Sequence, residues 1–239
     1  LDQLRENWVT HPMDYLSSAH LSPDGDRVAL TARGRVFVAP VKAGRFVRAS
    51  RKDSVRFRDV VFMPDGKSLL ALTDETGELE FARVPANGVG TDEVLTSNGN
   101  ILRFRGHPSP DGKWLAWDDN NRDLWVMNLA TKETRRVSEN REGIGSMTWS
   151  PDGRWLAYVM SAPNTFQQLK IYSVESGRSA ALTSDRTNSY SPAWDPKGEY
   201  VYFLSDRALR TLVGAPWGNR QPEPYFDKEV EIYQVALRG

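Results

Sequence analysis

One short segment recurs along this chain, and its spacing limits the possible folds more than any other feature. Ser22-Pro23-Asp24-Gly25 returns as Met63-Pro64-Asp65-Gly66, Ser109-Pro110-Asp111-Gly112 and Ser150-Pro151-Asp152-Gly153, and a fifth copy reads Asp195-Pro196-Lys197-Gly198. The steps from proline to proline are 41, 46, 41 and 45 residues. Propeller blades repeat at roughly 40 to 50 residues, but so do some helix-pair solenoids, so the period alone does not decide. The local chemistry does. Pro presets φ, Asp bonds the backbone ahead of it and Gly accepts a positive φ, so each copy is a tight turn. The run after the turn alternates, as in Lys113-Trp114-Leu115-Ala116-Trp117 and Arg154-Trp155-Leu156-Ala157-Tyr158-Val159, which predicts a half-buried strand. A third run follows (Leu124–Leu129, Leu169–Val174), then a fourth that closes on Leu95-Thr96, Val137-Ser138 or Leu182-Thr183. No stretch keeps a 3.6-residue period.

The expectation is therefore an all-β chain, a β-propeller of four-stranded antiparallel blades, with five repeats at about 11–50, 51–96, 97–138, 139–184 and 185–239 in one domain. The last repeat offers three strands, near Tyr190–Trp194, Tyr200–Leu204 and Glu231–Leu237. Residues 6–10, ending in Trp8-Val9-Thr10, supply a closing outer strand. Either five blades close a small ring or they form most of a larger one. Between Asp206 and Glu231 the pattern breaks into a proline-rich insertion, whose Trp217, Tyr225 and Phe226 predict an ordered loop packed over one end.

Lys and Arg total 31 and Asp and Glu also 31, so no net field favours nucleic acid or an anionic membrane. Apolar runs such as Val60-Val61-Phe62-Met63 fall far short of the roughly 20 residues that a spanning helix needs. The absence of cysteine removes disulfides, thiolate metal sites and a thiol nucleophile. The start, Leu1-Asp2-Gln3-Leu4, has neither an initiator Met nor an apolar leader and reads as internal. The cytoplasm is the expected location, with the periplasm as the alternative should a leader precede the chain.

The Ser-Pro-Asp-Gly units resemble the propeller repeats of TolB-type translocation proteins and of the tricorn protease family. Three stretches look closer to the tricorn-like peptidases: His11–Leu16 running into Leu21–Gly25, Thr31-Ala32-Arg33-Gly34-Arg35-Val36-Phe37, and Tyr200-Val201-Tyr202-Phe203-Leu204-Ser205-Asp206-Arg207. The resemblance covers essentially the whole chain and implies the second propeller of such a peptidase. In that family this propeller has seven blades, so five repeats are a departure. The family's nucleophilic serine and general-base histidine lie in regions this chain lacks. The implied role is to admit, filter or release oligopeptides for a larger serine peptidase, with homo-oligomerisation of the full-length protein left open. The alternative is a TolB-like scaffold that holds a protein partner by a blade rim or the Trp217 loop.

The residues themselves offer little chemistry. A hydrolytic triad needs a serine, a histidine and an orienting carboxylate, yet the histidines are only His11, His20 and His107, and no Gly-x-Ser-x-Gly elbow is present. His20 and His107 sit three residues before a repeat proline, where other repeats carry Val61, Thr148 and Ala193, so they read as one structural column. Asp118-Asp119-Asn120-Asn121-Arg122-Asp123 lacks the glycine and distal glutamate of a calcium loop and reads as a solvated hairpin turn. Gly88-Val89-Gly90 lacks the strand-and-helix context of a phosphate cradle. No cofactor or metal is expected, and a glycan-directed enzyme is disfavoured because Asp59 is the only clear first-strand acid. The tryptophans at 114, 149, 155 and 194 recur beside the turns and read as core between blades.

First strands line the channel of a propeller, so the candidate peptide-binding residues are Arg103, Arg105 and His107, which alternate along one such strand, and Arg56 with Arg58 one repeat earlier. Guanidinium groups around a mouth can take a peptide's terminal carboxylate bidentately. The competing reading pairs them with Asp59 and neighbouring carboxylates.

Overall fold

The computed structural model describes residues 11–139, 143–207, 210–211, 226–228 and 230–237. The repeat turn is its unit of construction. In the third copy Ser109 Oγ donates to Asp111 Oδ1 (2.6 Å) and accepts the Trp114 N–H (2.9 Å), while Asp111 Oδ1 also accepts the Lys113 N–H (3.1 Å). Ser150 and Asp152 repeat this network with Trp155 and Arg154, and Ser22 and Asp24 with Arg27 and Asp26. The glycine donates back to the first residue of the turn at a φ of 71° in Gly112 and 70° in Gly153, which only glycine adopts without strain. In the fifth copy one carboxylate fills both roles, since Asp195 accepts Lys197 N–H on Oδ2 (3.0 Å) and Tyr200 N–H on Oδ1 (2.7 Å).

Each turn joins the first two strands of an antiparallel sheet. The first sheet holds β1 (Leu16–Leu21), β2 (Arg27–Ala32), β3 (Arg35–Pro40) and β4 (Val47–Arg48), preceded by a 3-10 turn over Pro12–Tyr15. The second holds β5 (Phe57–Phe62), β6 (Ser68–Thr73), β7 (Glu80–Pro85) and β8 (Glu93–Val94). The third holds β9 (His107–Pro108), β10 (Trp114–Asp118), β11 (Leu124–Asn128) and β12 (Thr134–Ser138). The fourth holds β13 (Ile144–Trp149), β14 (Trp155–Ser161), β15 (Gln167–Ser173) and β16 (Arg178–Ala181). The fifth has three strands, β17 (Ser189–Trp194), β18 (Tyr200–Ser205) and β21 (Glu231–Ala236), and a short ribbon pairs β19 (Arg210–Thr211) with β20 (Phe226–Lys228). The expected closing strand at 6–10 and the Trp217 and Tyr225 loop lie outside the described residues. The threonine of each Leu-Thr pair extends the ladder where the fourth strand ends. Thr96 Oγ1 accepts Phe81 N–H (2.9 Å), and Thr183 Oγ1 accepts Leu169 N–H (3.0 Å).

The chain divides into two compact units, Leu1–Pro108 and Ser109–Gly239. In the first, Val36 and Val38 of the first sheet pack on Phe57, Phe62 and Leu69 of the second. In the other, Leu124 and Val126 pack on Leu156 and Tyr158, while Ala157 and Val159 pack on Val201 and Phe203. Burying each large side chain of this kind contributes about 1.5–3 kcal/mol. Two expectations need correction. The second strands β6, β10 and β14 are buried on both faces rather than one, and for β14 the cause is a packed sheet on each side. The turn at 118–123 is not simply solvated: Asp119 is 2% exposed and accepts the N–H groups of Asn121 and Asp123 on Oδ1 and the indole N–H of Trp125 on Oδ2 (2.7 Å). Of the repeat tryptophans, Trp149 is buried and Trp114 and Trp194 pack on the cores. Trp155 instead lines a groove of about 390 Å³ with Ile171, Leu237, Arg154 and Lys197.

Candidate functional site

Successive turns of an antiparallel sheet fall at opposite ends, so the entry to a first strand and the turn between strands two and three share an end. In the first unit these segments surround an open cleft of about 760 Å³. Tyr15 and Ser17 come from the entry to β1, Arg33 and Gly34 from the β2–β3 turn, Arg56 and Arg58 from the entry to β5, and Asp74 and Leu79 from the β6–β7 turn. Backbone bonds fix the frame. Phe57 N–H donates to Gly34 O (2.9 Å), and Arg56 N–H donates to Asp74 Oδ1 (2.7 Å). Asp206 makes the same bond to Asn188 N–H in the fifth sheet (2.9 Å), so Asp74 is there for architecture.

The three arginines of the cleft are exposed, and no carboxylate among the described residues forms an ion pair with them. Arg33 lies over the Tyr15 ring, 5.0 Å from its centroid. Arg35 is the instructive contrast, since its guanidinium is committed to the carbonyls of Lys52 and Asp53 and to the Asp53 carboxylate. Two non-glycine residues here hold a left-handed backbone, Arg33 and Asp59, both with φ 50°. Asp59 sits in the bulge that follows Arg58. Ser191 in the corresponding bulge of β17 has φ 52°, so the Asp59 conformation belongs to the blade's construction.

The sequence grouped Arg103, Arg105 and His107 on one face of a strand, and the structure separates them. His107 and Pro108 form the short strand, and Arg103 makes an isolated bridge. Arg103 is 5% exposed and bonded to Glu80 Oε2 at 2.9 Å, to the Leu79 carbonyl and to Asn98, while Thr96 donates to the same Glu80. A buried carboxylate demands a cation, and Arg103 turns inward to supply it. Arg105 stays exposed. Arg56 and Arg58 do share one cleft, together with Arg33 and Tyr15, which residue spacing along first strands did not single out.

His20 and His107 sit inside the first unit rather than in the cleft. His20 accepts the Phe62 N–H on Nδ1 (3.1 Å), the reverse of the donated Nδ1–H that a triad requires. Burial first and Arg105 second lower its pKa, and the same causes in the same order lower that of His107 to about 4. The bond to the Phe62 N–H makes His20 a strut between β1 and β5. Among the described residues, no cluster of three metal-ligating side chains forms, and no helix is long and apolar enough to cross a membrane.

Residues 16–239 match the model of the tricorn protease second beta propeller domain. The chain belongs to this family. A tricorn protease homolog of Saccharolobus solfataricus is 27% identical over 82% of this chain and 18% of its own length, and tricorn protease homolog 1 of Streptomyces coelicolor is 29% identical over 76% and 18%. The crystal structure of the tricorn protease aligns with a TM-score of 0.79 at 20% identity, over 95% of this chain and 22% of that one. TolB from Acinetobacter baumannii aligns with a TM-score of 0.56 at 18% identity, over 80% and 50%. The chain thus spans about a fifth of the tricorn relatives it matches. Among its tricorn-like stretches, the one around Arg33-Gly34 forms the cleft's first turn.

Proposed function

We propose that this chain is the oligopeptide-binding module of a tricorn-family peptidase, holding or gating peptides for a catalytic part elsewhere in a longer protein and cleaving no bond itself. The arginine cleft carries this reading. Arg33, Arg56 and Arg58 present guanidinium groups to an open space with no carboxylate partner among the described residues, and a peptide carboxylate is the chemistry that fits them. Membership in the family supplies the setting. The test is fluorescence anisotropy with labelled peptides that end in either a free carboxylate or an amide. Free-acid peptides bind in the micromolar range, and Arg56→Gln with Arg58→Gln weakens them at least about tenfold. Equal binding of acid and amide forms, or no binding across varied peptides, overturns the reading.

The Trp155 groove, with Ile171 and Leu237 between Arg154 and Lys197, favours a second reading as a scaffold for a protein partner. A stable partner recovered by pull-down, retained by the double arginine variant and lost on Trp155→Ala, would put that reading first.

A further inference from the structure

The cleft carries more positive charge than one terminal carboxylate neutralises. It has three guanidinium groups and a single carboxylate, Asp74, one of whose oxygens is taken by the Arg56 N–H. The cations also arrive as two arms. Arg56 and Arg58, two residues apart at the entry to β5, project to the same side. Arg33 reaches in from the β2–β3 turn, its guanidinium carbon 5.0 Å from the centre of the Tyr15 ring. A stacked guanidinium keeps its N–H edge free for in-plane bonding to a carboxylate.

The spacing of the arms is fixed by backbone rather than by side chains. Phe57 N–H bonds to Gly34 O, and a Cβ placed on Gly34 would come within 3.1 Å of the Arg56 Cβ. Gly34 also has φ 74°, so the residue joining the arms is suited to glycine on both counts. Two cationic arms mounted on one backbone frame can meet two anionic groups on one ligand, with ordering of the exposed arginine side chains as the cost of binding.

We infer that the cleft selects peptides with a dianionic end, a C-terminal Asp or Glu, an inference that rests on the peptide-binding reading of the same site. Arg56 and Arg58 take the terminal carboxylate, and Arg33 takes the side-chain carboxylate. Peptides ending in Lys or Arg are rejected, since Asp74 is the only acid among the described lining residues and is already engaged.

The experiment titrates the chain at low salt with labelled tetrapeptides that differ only at the end: Glu acid, Glu amide, Leu acid and Leu amide. Inorganic pyrophosphate serves as competitor. Glu acid is expected to bind about tenfold tighter than Leu acid, one added charge-assisted contact. Arg33→Gln brings the ratio of Glu acid to Leu acid affinity, both measured on the variant itself, close to one. Arg33→Lys, which keeps the charge and loses the planar fork, retains only part of it and serves if the Gln variant does not fold. Equal affinities for Glu acid and Leu acid, with both amides weak, overturn the dianion inference and leave the peptide reading standing. No binding by any peptide removes both. Pyrophosphate that displaces Glu acid at or below the peptide's own concentration also overturns the inference, because the cleft would then be a bare anion site.

Discussion

Strands β14 and β18 occupy the same place in successive repeats, yet their surroundings differ on one face. Counted from the repeat proline, Leu156 matches Val201 and Tyr158 matches Phe203; all four are 2% exposed or less. On the other face Ala157 is 0% exposed, whereas its counterpart Tyr202 is 38% exposed, and Tyr200 is 36% exposed. β14 lies between two sheets, with Leu156 and Tyr158 facing one core and Ala157 and Val159 the next. β18 has a described neighbour on one side only, though its sequence is apolar on both. Burial in a blade is therefore decided by the neighbours as much as by the strand's own pattern. A small residue such as Ala157 marks where a neighbouring sheet comes close.

A charge on the differing face separates the two strands most sharply. Ala157→Asp places a carboxylate where no water reaches, at about 5 kcal/mol or more, enough to unfold a domain of ordinary stability. Tyr202→Asp leaves its carboxylate in solvent and costs about 1 kcal/mol or less. Urea denaturation of both variants checks this. Comparable losses would mean that the outer face of β18 is covered, and the comparison would fail.

The shared face makes the complementary case. Tyr158→Ala and Phe203→Ala each remove a ring from a filled core, at about 3–5 kcal/mol, and their midpoints in urea should fall together. A clearly smaller loss for Phe203→Ala would show that the fifth sheet packs more loosely than its burial indicates.

The repeat was legible because turn chemistry is local: Ser, Asp and Gly at fixed offsets make the same three bonds wherever they occur. Strand order followed from that. Two-sided burial did not, because alternation within Trp155–Val159 cannot say what lies beyond each face. The candidate cleft was half legible for the same reason. Arg56 and Arg58 of the candidate cleft were singled out from strand spacing. Arg33 and Tyr15 come from a neighbouring sheet and meet them only through the fold. Arg103 was misplaced because its partner, Glu80, lies 23 positions earlier in the chain, on β7. An antiparallel blade does carry one usable signal, since its second turn and the entry to its first strand must share an end. That rule points at Arg33-Gly34.

The turns that lead into β14 and β18 give the smallest contrast. Ser150 and Asp152 divide the work before β14, so Asp152→Ala leaves Ser150 Oγ accepting the Trp155 N–H and costs about 1 kcal/mol. Asp195 fills both roles before β18, so Asp195→Ala frees the N–H groups of both Lys197 and Tyr200 and should lower the urea midpoint further than Asp152→Ala does. The pH response has the same origin. The Tyr200 N–H, chiefly, holds the Asp195 carboxyl below its ordinary pKa. A carboxylate lowered by folding stabilises the fold fully above its unfolded pKa of about 3.9, and that contribution is lost as the pH falls through the lower folded value. Asp195→Ser restores an acceptor that does not titrate. Below about pH 4 it should lose less stability than the parent, in parallel acid titrations followed by tryptophan fluorescence. Coincident curves would show that the turn before β18 does not depend on this one carboxylate, and the difference between the two turns would be gone.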